Sequence, residues 1–399
     1  MRAKNFFRGF LGFAGIQTLI VFSLLILITG EADRLYPDTV YCFAGDDPAR
    51  GVFSVESRDG DAGGESDVSF LGMIPVKTVD VRYFEKKQLI PGGMTFGVKL
   101  FTQGLLVTQT GAFVSGGKSV DPAKAAGIRR GDVIRTVDGA EVTKVRQLSR
   151  LVEESRGRTV TLGILRDGDI ETVSVTPRFC DEEKRYRAGL WVKDSAAGIG
   201  TVTYIDPGDL SFAGLGHGIC DQSTGAPVPI SSGEVWEVKV EGVVKGEKGD
   251  PGELQGVFGS RQAGIITDNT LCGVFGELYR IPAGAAAPVD AALSGDVREG
   301  EASVLCSVDP DGVKSYSARI ERIVDRSAET KNFVIRITDP RLLELTGGIV
   351  QGMSGSPVMQ DGKLVGAVTH VMVNDPTRGY GIFIENMLEA SGNVQRPAA

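Results

Sequence analysis

Short runs in which apolar and polar residues alternate fill the chain from about Tyr186 onward, and they constrain the fold most strongly. Examples are residues 234–240 and Phe333–Ile337, in a region that is rich in valine, glycine and threonine. Regularly spaced runs of this kind are typical of strands in an all-β barrel or sandwich. The sequence does not show the alternating strand and helix patterns of an α/β-hydrolase. We therefore predict a mainly β domain over residues 185–399.

One serine in this region lies among glycines. Residues 347–357 read Gly-Gly-Ile-Val-Gln-Gly-Met-Ser-Gly-Ser-Pro and join two apolar runs. A seryl hydroxyl is a weak nucleophile until an imidazole takes its proton and backbone N–H groups hold the resulting oxyanion. Glycine on both sides permits the sharp backbone that such an oxyanion hole requires. We expect Ser354 to be a nucleophile, with the amides of Gly352 and Ser354 as oxyanion donors; the alternative is a structural hairpin turn.

The chain has two histidines, so few residues can serve as the general base. His217 lies in residues 214–219, Gly-Leu-Gly-His-Gly-Ile, where the glycines let a substrate approach the imidazole closely. His370 follows Ser354 by 370 − 354 = 16 residues and ends an apolar run. His217 is therefore the expected base.

These motifs resemble known families. Residues 352–357 look like the Gly-Asp-Ser-Gly-Gly-Pro element of chymotrypsin-like peptidases. The chain also resembles the stage IV sporulation protein B family, membrane-anchored serine peptidases of endospore-forming bacteria, in the Gly-His-Gly turn and in residues 194–201, 347–370, 374–376 and 379–381. The resemblance implies a chymotrypsin-like pair of β-barrels. Met353 replaces the aspartate that receives a new N-terminus in the digestive enzymes, so activation by that route is not expected.

The same resemblance suggests the rest of the site. Asp339 matches the acidic triad position, 354 − 339 = 15 residues before the serine. Thr369 falls where a hydroxyl supports the acid, and His370 falls where a side chain lines the substrate cleft, although it could equally be a polar residue at a strand end. Asp339 before Pro340 also predicts a helix N-cap. Two alternatives remain: the site is a His-Ser dyad assisted by Thr369, or Asp221 is the acid.

A second domain is predicted over residues 94–180. Residues 122–134 and 137–139 resemble the PDZ domains attached to bacterial proteases. A helix is expected from Val145 to Val152, followed by a strand that ends at the Asp167-Gly168 turn. PDZ domains bind a peptide as an added strand and capture its carboxylate with backbone amides. Thr95-Phe96-Gly97-Val98 matches that carboxylate loop, or is a plain turn. Because the barrel strands are expected only after Tyr186, deleting residues 94–179 should leave the barrels folded.

The N-terminus predicts a membrane anchor. Residues 9–30 carry no charge and are long enough to span a bilayer. Arg2, Lys4 and Arg8 precede them, so residues 1–30 should hold a cytoplasmic stub and an anchor, with everything after them outside. The alternative is a cleaved secretory signal. Residues 31–93 are expected to be a linker and juxtamembrane region that includes a flexible, glycine-rich tether over residues 59–67.

Composition excludes several functions. The net charge of −8 and the pI near 5.1 provide no basic surface, so nucleic acid is not an expected partner. The five cysteines show no C-x-x-C spacing, and neither a zinc site nor a disulfide framework is predicted. No glycine-rich phosphate loop is present. We expect no metal and no organic cofactor.

The combined expectation is a membrane-tethered serine endopeptidase regulated or targeted by its PDZ domain. By resemblance, it would be made in the forespore and act in the space between the two spore membranes. There it would cleave itself and a membrane-bound regulator that restrains an intramembrane metalloprotease. Cleavage of the regulator would signal maturation of a late mother-cell sigma factor. Its partners would be a protein substrate at the membrane, the chain itself and a PDZ-bound peptide. The alternative is a PDZ-based scaffold whose peptidase domain is inactive.

Overall fold

The first element of the protein is a long helix, α1 (Arg2–Leu35). The structure is a computed structural model that describes residues 2–58, 64–220, 225 and 227–392. Within α1, Ile16–Leu35 has a mean hydropathy of 1.6 and is long and apolar enough to cross a membrane. Secretory signal sequences near an N-terminus meet the same criterion.

A four-stranded sheet follows the helix. Its strands are β1 (Thr39–Phe43), β2 (Phe53–Ser57), β3 (Gly64–Phe70) and β4 (Ile74–Phe84), in the order β1-β4-β3-β2. Alternate valines, such as Val79 and Val81, pack with Tyr36 at the end of α1. The prediction that residues 31–93 are a linker is therefore wrong, because these alternating valines form a core of their own. The predicted tether falls partly on β3 and partly on residues 59–63, which lie outside the described residues.

In the middle of the chain, the described residues form fifteen strands and two helices. They are β5 (Gln88–Pro91), β6 (Thr95–Thr110), β7 (Phe113–Ser115), β8 (Lys118–Val120), α2 (Pro122–Ala125), β9 (Val133–Val137), β10 (Ala140–Glu141), α3 (Val145–Glu154), β11 (Val160–Arg166), β12 (Asp169–Val175), β13 (Arg178–Cys180), β14 (Arg185–Arg187), β15 (Leu190–Ile205), β16 (Ser211–Gly214), β17 (Ile230–Val244), β18 (Glu253–Thr270) and β19 (Gly273–Leu278).

Six of these strands close into a first barrel. Neighbouring strands pair in the order β6-β17-β18-β19-β16-β15, and β15 pairs again with β6. Phe96 and Val98 of β6 share one hydrophobic core with Phe212 of β16 and Val274 of β19. The first barrel therefore begins at Thr95, before the PDZ domain.

This arrangement overturns the predicted carboxylate loop. Thr95, Phe96, Gly97 and Val98 lie inside β6, where they pair with β15 on one side and with β17 on the other. Phe96 and Val98 are 3% and 1% exposed. A carboxylate loop needs free backbone amides, so this segment cannot be one. The predicted boundary between residues 180 and 185 is also wrong for the first barrel, because β6 belongs to both units.

The PDZ domain is inserted between β6 and β15. The C-terminal half of β6 pairs with β9, which continues through β11 to β12. Helix α3 buries Leu148 and Val152 against this sheet, and β11 ends before the Asp167-Gly168 turn, as predicted. Strand β15 lies along β6, and its Asp194 carboxylate accepts a hydrogen bond from the first N–H of α3. The chain's own strand therefore occupies the edge of β6 beside the helix.

A second barrel is formed by the C-terminal part of the chain. The remaining elements are β20 (Val289–Asp290), β21 (Gly300–Cys306), β22 (Lys314–Ile323), β23 (Phe333–Ile337), α4 (Pro340–Thr346), β24 (Pro357–Gln360), β25 (Lys363–Val371), β26 (Arg378–Phe383) and α5 (Ile384–Ala390). The barrel closes in the order β21-β22-β23-β26-β25-β24. With two barrels and a PDZ domain, the prediction of a mainly β chain is confirmed.

Candidate active site

The predicted nucleophile lies on the turn between α4 and β24. Gly352 has a φ of 96° and Gly355 a φ of 95°, a conformation that favours glycine. A Cβ at Gly355 would lie 2.0 Å from the carbonyl oxygen of Thr201, so a larger residue would collide with the first barrel. The Ser354 hydroxyl itself donates a hydrogen bond to the carbonyl oxygen of Thr369, over 2.6 Å.

The amides predicted to hold an oxyanion have no hydrogen-bond acceptor among the residues that the structure describes. Within the described part of the chain, no acceptor receives a hydrogen bond from the N–H of Gly352 or of Ser354. Between them, the N–H of Met353 donates to the carbonyl of Val350, and the Met353 side chain is fully buried. Two such N–H groups, one on each side of a residue whose side chain is buried, can donate together to one oxygen atom.

His217 lies on a strained turn at the end of β16. The N–H of Gly216 donates to the carbonyl of Gly214, which closes a three-residue γ-turn around Leu215, at a φ of 68°. A positive φ is unusual for leucine and stores strain that the surrounding structure must hold in place. A Cβ at Gly216 would lie 3.0 Å from the Thr369 side chain, so this turn packs against β25 of the second barrel.

Thr201 joins the two turns. Its N–H donates to the carbonyl of Ser354 over 2.9 Å, and its hydroxyl donates to the carbonyl of Gly352 over 2.8 Å. Its own carbonyl accepts a hydrogen bond from Leu215. One buried residue of β15 therefore connects the histidine turn to the serine turn. In the sequence, Thr201 is only the last residue of the segment 194–201 that carries the family resemblance, and nothing there indicates this role.

The His217 imidazole is oriented by the main chain. Its Nδ1 lies 2.9 Å from the carbonyl oxygen of Gly218. A carbonyl can only accept, so we assign the proton to Nδ1, which leaves Nε2 free to act as a base. Burial lowers the pKa of His217, although the hydrogen bond to Gly218 opposes this. The ring is therefore neutral at pH 7.

The second histidine lies against the first. The rings of His217 and His370 are 4.6 Å apart between centroids and are tilted by 37°. Desolvation, followed by the nearby charges of His217 and Lys331, lowers the pKa of His370 below its usual range. Thr369 does not support an acid here, because its hydroxyl donates to the carbonyl of Tyr380. In this structure Ser354 and His217 bond to main-chain carbonyls and not to each other.

Among the described residues, Asp339 has no hydrogen bond to His217. Its carboxylate accepts hydrogen bonds from the N–H groups of Ser317 and Arg341 and from the Arg341 guanidinium. The guanidinium, helped by the two N–H groups, holds the pKa of Asp339 well below its usual range. The residue is the N-cap of α4, which Asp339-Pro340 predicted as the alternative to a triad role, and in this structure its carboxylate is bonded to Ser317 and Arg341. Asp221, the other suggested acid, lies outside the described residues.

Cys220 does not offer a second nucleophile. Its thiol donates weakly to the carbonyl of Gly218. Burial raises the pKa of Cys220, so the reactive thiolate is disfavoured.

Comparison with known proteins adds a family to this geometry. The family model "SpoIVB peptidase S55" matches residues 184–388, and a PDZ domain model matches residues 92–176. The magnetosome formation protease MamE of Paramagnetospirillum magneticum is 44% identical over 66 residues, or 16% of this chain and 9% of that protein. A probable periplasmic serine endoprotease, DegP-like, of Bartonella henselae is 39% identical over 69 residues, or 17% and 14%. The chain thus matches only a small part of these relatives.

A solved structure is also similar. The inactive form of the Rv3671c protease superposes with a TM-score of 0.30 and 14% identity, over 49% of this chain and 84% of that one. The family assignment does not depend on this similarity, because the peptidase model covers just over half of the chain. The protein therefore belongs to the SpoIVB peptidase S55 family and carries a PDZ domain.

Proposed function

We propose that the protein is a membrane-anchored serine endopeptidase in which Ser354 is the nucleophile and His217 the base. The observation that carries this assignment is the pairing of the two turns through Thr201. It links the turn of the first barrel that carries the glycine-flanked imidazole to the turn of the second barrel that carries the glycine-flanked serine. Next to that serine, the amides of Gly352 and Ser354 are unpaired among the described residues.

The reaction begins with a rotation of the Ser354 side chain. Its hydroxyl leaves the Thr369 carbonyl and turns to Nε2 of His217, which takes the proton as the oxygen attacks the peptide carbonyl. The amides of Gly352 and Ser354 donate to the oxyanion. His217 then protonates the leaving amine, and a water molecule hydrolyses the acyl-enzyme by the same steps. The carbonyl of Gly218 orients the imidazole, the task that an aspartate performs in a triad, so we propose a dyad.

The biological setting is proposed from the family and from α1. The helix would anchor the protein with its N-terminus in the cytoplasm and the peptidase outside, at the forespore membrane and in the intermembrane space. The substrates would be the chain itself and a membrane-bound regulator, whose cleavage triggers intramembrane proteolytic activation of a late mother-cell sigma factor. A peptide that binds the PDZ domain along β6 would have to displace β15, which is paired there.

Covalent labelling tests the catalytic assignment. We expect a fluorophosphonate to label the full-length protein on Ser354. Ser354→Ala and His217→Ala should each abolish labelling and self-cleavage, and the double variant should be no worse, because the two groups act as one unit. Self-cleavage near the wild-type rate in either purified variant would show that the assignment is wrong.

One observation favours the alternative of a PDZ-based scaffold with an inactive peptidase domain. The Ser354 hydroxyl is held by the Thr369 carbonyl and not by His217. If that hydrogen bond were permanent, the serine would remain unactivated. The same experiment separates the two functions, because an inactive scaffold would not be labelled by the fluorophosphonate.

A further inference from the structure

A two-stranded ribbon extends from the first barrel to the second. β17 pairs with β6 only as far as Glu237, and β18 pairs with β19 only from Gly264 onward. Beyond these points, residues 238–244 of β17 and 253–258 of β18 pair with each other. We call residues 238–258 the ribbon. In the ribbon, the two strands pair with each other and no longer with the neighbouring strands of the first barrel.

The tip of the ribbon is hydrogen-bonded to the segment that precedes Ser354. The N–H of Gly246 donates to the carbonyl of Thr346 over 2.8 Å. The N–H of Gln351 donates to the carbonyl of Gly252 over 3.0 Å, and the N–H of Leu254 donates to the carbonyl of Gln351 over 2.8 Å. The main chain on the N-terminal side of Gly352 is thus held by hydrogen bonds in both directions.

Leu254 adds an apolar contact at the same point. Although its strand belongs to the first barrel, the Leu254 side chain is 6% exposed and lies in the core of the second barrel, in the same cluster as Val350 and Met353. A Cβ at Gly352 would lie 3.1 Å from the Leu254 side chain. Leu254 is therefore packed directly against the residue that carries one of the two unpaired amides.

We propose that the ribbon is a positioning device for the oxyanion hole, with Leu254 as its main positioning residue. Met353, the buried residue between the two amides, is uncharged, so an ion pair of this residue cannot hold the turn in place. Its apolar side chain and Leu254 share one core, while the hydrogen bonds of Gly252 and Leu254 fix the peptide before Gly352. Together these contacts hold the amides of Gly352 and Ser354 ready for an oxyanion. This inference rests on the proposed function of Ser354.

Leu254→Ala in the full-length protein tests the idea. With a fluorophosphonate as the probe, we expect the rate constant of labelling at saturation to fall by about 10²-fold, the scale of one lost oxyanion donor. The inhibition constant KI should change by less than about threefold, because the positioned amides act on the reacting oxygen. Leu254→Met, which keeps an apolar side chain of similar volume, should restore labelling to within about threefold of wild type.

Ile320→Ala is the matched control for core truncation. Ile320 is fully buried in the same cluster, but it lies in the middle of β22 and pairs with Gly300 and Ile335. It loses the same number of carbon atoms as Leu254→Ala. We expect Ile320→Ala to lower the melting temperature while leaving the saturating labelling rate unchanged below that temperature.

A glycine pair tests the ribbon without altering the core. A Cβ at Gly252, where φ is 65°, would lie 2.3 Å from the carbonyl oxygen of Val244, so Gly252→Ala must distort the tip. A Cβ at Gly242 would meet only the Gln255 side chain, at 3.4 Å. We expect Gly252→Ala to slow labelling at least tenfold and Gly242→Ala to have no effect.

The outcomes separate this inference from the proposed function. If wild type is not labelled on Ser354, the peptidase assignment itself fails. If wild type is labelled but Leu254→Ala and Gly252→Ala react at the same rate, the assignment stands and the positioning role is overturned. An equal slowing by Ile320→Ala would also overturn it, since any loss in the core would then suffice. Should Leu254→Ala fail to fold, the glycine pair decides.

Discussion

Two deletions that both remove the PDZ domain should affect the first barrel in opposite ways. Deleting residues 94–179 also removes the part of β6 that pairs with β15 and β17. Deleting residues 102–194 keeps that part. Phe101 and Ser195 are direct partners in the ladder, so an Asn-Gly turn can join them as a hairpin. We expect the first variant to lose the barrel and the second to keep it.

The magnitude follows from three side chains. Phe96, Val98 and Leu100 are between 0 and 3% exposed in the core of the first barrel, and all three disappear with residues 94–179. Burying such a side chain stabilises a fold by about 1.5–3 kcal/mol. The loss is therefore roughly 5–9 kcal/mol before the unpaired edges of β15 and β17 are considered. Since whole domains are stable by only about 5–15 kcal/mol, the barrel should not survive.

Tryptophan fluorescence can follow this difference. The chain has two tryptophans, and deletion of residues 102–194 leaves only Trp236, which pairs with Gly97 in the first barrel. We expect a cooperative thermal transition from Trp236 in that variant and none in the variant without residues 94–179. A cooperative transition in both, at temperatures near that of the full-length protein, would refute the reasoning that β6 is needed to close the barrel.

Three further predictions concern the site. Since burial lowers the pKa of His217 and a base must be neutral, kcat/KM should be lost on acidification only below pH 6.5, and an acidic limb centred above 6.5 would contradict this assignment. Asp339→Asn should keep the cap of α4 but lose the ion pair with Arg341, lowering the free energy of unfolding by about 1–3 kcal/mol in denaturant titrations while kcat stays within threefold. Because the pKa of Asp339 is lowered in the folded protein, this difference in stability should be present above the ordinary aspartate pKa and should vanish as the pH falls through the lowered pKa. A hundredfold loss of kcat in Asp339→Asn would instead show that Asp339 belongs to the triad. Gly355→Ala should abolish fluorophosphonate labelling, because its Cβ would collide with Thr201, whereas Gly362→Ala, with a φ of 78° and open space around it, should cost only about 1–2 kcal/mol of stability and no activity.

Local sequence patterns predicted the secondary-structure elements better than they predicted which strands pair with each other. The spacing of Leu148 and Val152 predicted α3, and Asp339-Pro340 predicted the cap of α4 as the alternative to a triad role, because helical periodicity and capping depend on neighbours in sequence. Thr95–Val98 was misread because an apolar run beside a glycine fits a PDZ loop and a strand equally well. What decides between them is pairing with residues 198–201, about a hundred positions away, which periodicity cannot reveal.

The site was predictable to a similar extent. Ser354 and His217 stand out because glycines flank them, and the structure places their turns together. The partner of His217 is the carbonyl of Gly218, and a main-chain carbonyl leaves no trace in residue identity. The contact of Leu254 with the serine turn is likewise hidden, since a leucine in an alternating strand resembles any other core residue.

The insertion of the PDZ domain within β6 and β15 has a consequence for the order of folding. Thr110 and Leu190 are adjacent in the ladder but far apart in the chain. Joining two points separated by so many disordered residues costs roughly 4 kcal/mol of chain entropy on the logarithmic law. The PDZ core includes Leu105 and Val107 of β6, with Leu190 and Val192 of β15 packed against it. Once this local unit has formed, the two strands of the barrel already lie side by side, and the remaining closure resembles that of a hairpin. The PDZ domain would then act as a folding nucleus for the barrel that contains it.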